Sequence, residues 1–366
     1  MFAANGVSSS AIQVYWTNNP GVPSSKNDFS GSLTYKATQN PISVEAAYNG
    51  GSIIHVLANL IDGTLYDYPF DLSANTFKSP HLISSGDPVR TTLYPGTAGV
   101  SAMVGLDGTL HVAYWTSGNH VTYTPFTYDP VSDTLTPQTT PFEVDSAGHA
   151  SHPVLAVSPY DGNTTVAWLS EAVTPHQVLG RTKTSVGWGT IEQVSDPTVK
   201  VWTYVDPYGG VSVDQGPSLI IPADGTKHLS YIEDVDSSGN YGRVHYVYYT
   251  SLNSWQDTRL NYYTHDPSLA TNRNSDVYLF GHGDYLDTSP CGSSNDMCYL
   301  KKNADGTWSI PHMFATHPNG ETFDASVSTK WSVVGWTRPE LIEVAFFSGG
   351  ASNYWNMSLY YGTLGG

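Results

Sequence analysis

The chain has 366 residues, 39% of them hydrophobic and only 13% charged, with 34 glycines, 23 prolines and 25 tyrosines. That is enough apolar material for a sizeable core and too little Lys and Glu for long helices, which excludes a disordered chain and argues against a helical one. The formal net charge of −17 is spread along the chain with no basic stripe, so nucleic acid and anionic membranes are poor partners, and no apolar run approaches the roughly 20 residues of a membrane span.

Met1–Gly6 shows neither the basic nor the apolar region of a signal peptide, so the mature domain is expected to begin here. Two strand-like stretches follow, "AIQVYWTNN" from Ala11 and "GSLTYKAT" from Gly31. Beyond them one pattern recurs. Ser52–Ile83 carries the turn Asp62-Gly63, and the stretch from Gly99 carries Asp107-Gly108 followed by the alternating run His111–Trp115. The stretch from His152 has Asp161-Gly162 and then Thr165–Trp168, and Gly216–Leu260 has Asp224-Gly225 and then His228–Tyr231. Ser275–Phe314 holds Asp305-Gly306, and Trp331–Leu364 reads as three strands without a clear fourth.

An Asp-Gly pair supplies the positive φ of a tight hairpin, and the flanking runs have the period of two that strands require. Four short antiparallel strands in a unit of roughly 45 residues describe a propeller blade, which buries both faces only against neighbouring blades. The expected fold is therefore all-β: one β-propeller domain over 1–366, with seven blades, or six as the alternative count. An N-terminal strand is expected to complete a C-terminal blade and close the ring.

The units resemble the repeats of the sialidase-like, Asp-box-related propellers. "LKKNADGTWS" from Leu300 is similar to a degenerate Asp box that keeps Asp305, Gly306 and Trp308. The resemblance implies a fold more than a function, because such rings host hydrolases, lyases, lectins and scaffolds. The sialidase catalytic set is largely missing: the chain has six arginines and no Arg-Ile-Pro. Arg181, Arg243 and Arg338 are the conceivable carboxylate-gripping trio.

Candidate chemistry sits in several places. Glu171 and Glu233 follow equivalent strands in adjacent units, and a facing carboxylate pair is what glycosidases use. His245 with Tyr246 or Tyr248 would suit a lyase base and acid. His55, His111 and His228 read as repeat residues. Asp234, Asp236, Ser238 and Asn240 alternate in a Gly-containing loop that could wrap Ca²⁺, the one cofactor suggested. Trp16, Trp115, Trp168, Trp202, Tyr208 and Trp355 are candidate sugar-stacking aromatics, with packing between blades as the competing role for each. Cys291 and Cys298 suit a small loop disulfide, and Asn163 and Asn356 head N-glycosylation sequons, which together point outside the cell.

Three functions fit. The first is an extracellular propeller that recognises carbohydrate or a cell-surface glycan without catalysis. The second is a glycan-cleaving hydrolase or lyase. The third is a structural subunit that assembles with its own copies. The missing sialidase set leans against an enzyme.

Overall fold

A computed structural model describes residues 2–6, 11–16, 31–48, 51–85, 99–145, 147–201, 216–235, 242–250, 254–263, 267–271, 274–282, 297–315, 341–348 and 358–365. Among these, every regular element is a strand, and the strands form seven antiparallel sheets in chain order. The first sheet holds Phe2–Gly6, Ala11–Trp16 and Gly31–Lys36; the second runs from Pro41–Ala47 to His81–Ser84. The third spans Val100–Val104, Leu110–Trp115, Val121–Asp129 and Thr134–Pro137. The fourth spans Ala150–Val157, Thr164–Ser170, Gln177–Thr184 and Gly187–Trp188. The fifth spans Ser218–Ile220, His228–Asp234, Gly242–Tyr249 and Trp255–Tyr263, and the sixth Ser268–Thr271, Val277–His282, Met297–Lys301 and His312–Ala315. The seventh pairs Leu341–Ser348 with Ser358–Gly365.

Through the first six sheets, the leading strands of consecutive sheets lie against one another: Phe2–Gly6 on Pro41–Ala47, then Val100–Val104, Ala150–Val157, Ser218–Ile220 and Ser268–Thr271 in turn. Sheets that meet at their leading strands and fan outward are blades, and the fold is a β-propeller. The apolar cores lie between consecutive sheets. In Thr164–Ser170, Val166 and Trp168 face the third sheet, whereas Ala167 and Leu169 face the fifth. Period-two alternation thus buries both faces of one strand, which is why it reads as nearly continuous apolar sequence.

All five Asp-Gly turns form. Gly63, Gly108, Gly162, Gly225 and Gly306 have φ between 72° and 85°. Only the glycine is left-handed. In the third sheet Gly108 N–H donates to the Gly105 carbonyl and Gly105 N–H to that of Thr109, a type I turn closed by a glycine bulge. The residue after glycine also matters. Thr64, Thr109, Thr226 and Thr307 each donate backbone N–H and hydroxyl to the preceding aspartate, at 2.6–3.0 Å. The repeat unit is therefore Asp-Gly-Thr, and the Asp62 turn joins second to third strand where Asp107, Asp161 and Asp224 join first to second.

One expectation differs. The N-terminal strands pair with one another in their own sheet; among the described residues none completes a C-terminal sheet. The register Ala11↔Lys36 to Trp16↔Gly31 gives Ala11–Trp16 a partner on each side already.

Candidate functional site

Alternating strand direction divides the connections of each sheet between two rims. First-to-second and third-to-fourth turns, including Asp107, Asp161, Asp224 and Asp305, share one rim. Second-to-third connections and the passages to the next sheet share the other. The connection 171–176 and the start of the passage from the fourth sheet to the fifth, 194–201, belong to this second group. It receives Glu171, Glu233 and Asp234 at its strand ends.

A charged cluster sits there on the fifth sheet. The register places Glu233 opposite Arg243 and Tyr231 opposite His245. An irregularity between Arg243 and His245 then sets His245 opposite Arg259 on the outer strand. Bulges of this kind re-aim side chains beside binding sites. His245 is 4% exposed in its side chain; its Nδ1 lies 2.7 Å from Asp257 Oδ1 and its Nε2 3.1 Å from Glu233 Oε2. Arg259 clamps Glu233 with Nε at 2.7 Å and Nη2 at 3.2 Å. Asp257 Oδ2 accepts from the Tyr231 hydroxyl at 2.5 Å and from Asp196 N–H at 3.0 Å. Burial first, then the neighbouring Asp257 charge, hold the Tyr231 hydroxyl well above the usual tyrosine range, so it stays a donor. Burial, and then repulsion from Arg259, lower Arg243.

The passage from the fourth sheet joins this network. Val201 bridges Glu233, Asp234 N–H donates to the Lys200 carbonyl at 2.9 Å, and the Lys200 ammonium binds the Asp234 carboxylate. The two exposed cations, Arg259 at 46% and Lys200 at 50%, cap acids that are 16% and 7% exposed. The cluster thus presents cationic heads to solvent over a supported acidic floor.

His55, His111 and His228 are committed inside. His55 Nδ1 is 2.7 Å from Asp67 Oδ2. His111 Nδ1 meets the Tyr123 hydroxyl at 2.7 Å, and His228 Nδ1 meets that of Tyr246 at 2.5 Å. Each tyrosine then takes an edge-on tryptophan of the next sheet, Trp188 at 5.2 Å and Trp308 at 4.9 Å between ring centres. Burial pushes both His111 and His228 down to about 4. In the unfolded chain they titrate near 6.5. Between those values the unfolded state binds more protons, so acid favours unfolding. Stability should be full above about pH 6.5, fall as pH drops towards 4, and lose a few kcal/mol over that window. Urea midpoints taken every half unit check it; a double His111→Gln, His228→Gln variant should flatten the curve.

The expected site residues divide as follows. Glu233 is the centre of the cluster. Glu171 is exposed, and its backbone N–H donates to the His149 carbonyl. Trp168 is 1% exposed and Trp115 4%, the former inside the core between third and fourth sheets, the latter on the His152 ring at 5.3 Å. Both therefore pack between sheets, and a flat ring so enclosed has no face left for a sugar. Trp16 ends the strand Ala11–Trp16, while Trp202, Tyr208 and Trp355 lie outside the described residues. So do Asp236, Ser238, Asn240 and Cys291, as well as Arg338 from the arginine trio. Arg181 of that trio packs its guanidinium over Phe142 and Trp188, at 5.3 and 5.8 Å, away from Arg243's ion cluster. Cys298 is fully buried at the start of its strand. Tyr246 faces His228, so it does not serve His245; the ring stacked on His245 is Tyr231, 4.8 Å away. No group of three or more metal-ligating side chains occurs among the described residues. Sequence reasoning missed Asp257, Arg259, Asp196 and Lys200.

No protein-family model and no curated protein matches the chain. Among solved structures it is similar to the BP39L lectin from Burkholderia pseudomallei, with TM-score 0.61 and 13% identity over 99% of this chain and 94% of that one. It is also similar to a polysaccharide lyase, the PL25 ulvanlyase, with TM-score 0.53 and 11% identity over 96% of this chain and 83% of that one. The same lyase bound to -[GlcA(1-4)Rha3S]- gives TM-score 0.52 and 10% identity over the same shares. At such identities the common property is the fold.

Proposed function

We propose that the protein is an extracellular propeller that recognises carbohydrate without cleaving it, through the rim cluster of Glu233, His245, Asp257, Arg259 and Lys200. The observation that carries this is the state of His245. Both its ring nitrogens face carboxylates and its side chain is 4% exposed, so neither nitrogen is open to take a proton from substrate. What the cluster does offer is fixed donors at its surface, the Arg259 guanidinium and the Lys200 ammonium, which suit the hydroxyl and acidic oxygens of a saccharide.

We further propose that Cys291 pairs with Cys298, that Asp234, Asp236, Ser238 and Asn240 are the ligands of any bound Ca²⁺, and that the repeats descend from the Asp-box-related propellers. The decisive experiment is a glycan array on the purified protein, run with and without EDTA, beside an assay for new reducing ends. Binding without release supports the reading. Arg259→Ala should then weaken binding roughly 10- to 100-fold, as loss of a charge-assisted contact does. Release of ends that Glu233→Gln abolishes would replace this reading with the hydrolytic one. A blank array together with particles that grow with concentration would replace it with self-assembly.

A further inference from the structure

Four of the five Asp-Gly turns continue with threonine, and the fifth continues with Asn163. There the asparagine does threonine's work: its N–H donates to Asp161 Oδ1 at 3.1 Å and its Nδ2 to Asp161 Oδ2 at 2.5 Å. The turn is otherwise the same, with Gly162 at φ 72° and open space where a Cβ would stand. The exchange therefore costs the turn nothing visible, and it creates the sequon Asn163-Thr164-Thr165.

A second oddity lies in the same turn. Tyr160, three residues before Asn163, is 77% exposed. The base of its ring rests over Gly225 of the neighbouring turn, with Cγ 3.6 Å from where a Cβ of residue 225 would be. An aromatic ring held in place yet left mostly bare is an unused apolar surface. Sugar rings carry apolar C–H faces that stack on such rings.

We infer that Asn163 is an N-glycan attachment site whose first sugar packs on Tyr160. In the transfer, Asn163 Nδ2 forms a bond to the anomeric carbon of a lipid-linked oligosaccharide. The bond from that carbon to the lipid diphosphate breaks, the lipid diphosphate departs, and the amide gives up one of its two protons. The remaining N–H still serves Asp161. Thr165 is 1% exposed in the fold, with its hydroxyl 3.1 Å from that of Thr182, so the sequon is readable by a transferase only before Thr164–Ser170 pairs with Gln177–Thr184. The glycan stands on the rim of the Asp107, Asp161, Asp224 and Asp305 turns, opposite the Glu233 cluster, and leaves that cluster open.

The inference rests on the extracellular reading above. Its test is peptide mapping by mass spectrometry of the full chain secreted from a glycosylating eukaryotic host, in an Asn356→Gln background. Asn163 should carry glycan, and Asn163→Thr, which restores the side chain of the other turns, should lose it and remain folded. Enzymatic removal of the glycan should lower the melting midpoint by about 1–3 °C, and by nothing measurable in Tyr160→Thr. An unmodified Asn163 overturns the site. An equal change with and without Tyr160 overturns the packing of sugar on the ring. Glycan-array binding by Asn163→Thr separates this result from the proposed function, because the substitution leaves the cluster intact.

Discussion

Trp168→Ala should destabilise the protein by about 3–5 kcal/mol, the largest effect expected of any single truncation here. Trp168 is 1% exposed and packs with Ala113, Val121, Leu155 and Val166, so both third and fourth sheets lose contacts when the indole goes. Residues on two separate sheets cannot both close on the hole without shifting one sheet against the other. Equilibrium urea unfolding measures it: the midpoint should fall with the slope unchanged. Val186→Ala, at a position 96% exposed, is the control and should stay within about 0.5 kcal/mol of the parent. A loss below about 1 kcal/mol for Trp168→Ala would mean that the two sheets do not share a core at this residue.

Asp257→Ala comes next, at about 3 kcal/mol, because one carboxylate receives three donors. His245 Nδ1, the Tyr231 hydroxyl and Asp196 N–H all lose their acceptor, and His245 and Tyr231 are 3% and 0% exposed. Asp257→Asn should fall between parent and alanine, since its amide oxygen can accept from one side while its NH₂ faces a donor on the other. Binding should fall in both variants even though Asp257 reaches ligand only through His245 and Glu233. If Asp257→Ala were as stable as the parent and bound glycan as well, the column from Tyr231 to Arg259 would have no positioning role.

How far the sequence foretold this molecule depends on distance along the chain. The Asp-Gly turns were readable because their chemistry is confined to three residues: an aspartate acceptor, a glycine that tolerates positive φ, and a donor after it. The strands of the third, fourth and fifth sheets were readable because alternation and apolar runs are local too. The pairing of the N-terminal strands with one another, seen among the described residues, was not readable, for the opposite reason. Which strand Ala11–Trp16 pairs with depends on edges far apart in sequence, and nothing in "AIQVYWTNN" encodes its neighbour. The charged cluster shows the same limit. Glu233 stood out as a strand-end carboxylate, but Asp196, Lys200, Asp257 and Arg259 come from two other segments. Only the register and one irregularity at Arg243–His245 bring them together. Trp115 and Trp168 are enclosed, and residue type does not tell a ring enclosed between sheets from one on a rim.

Cores that lie between consecutive sheets bear on how the chain is made. A newly synthesised sheet covers the open face of the one before it and exposes a new apolar face of its own. During synthesis the sticky surface is therefore never large, but it is never absent; it travels along the nascent chain one unit at a time. A pause after the fourth sheet leaves Ala167, Leu169 and Val178 uncovered until Leu229 and Tyr231 arrive.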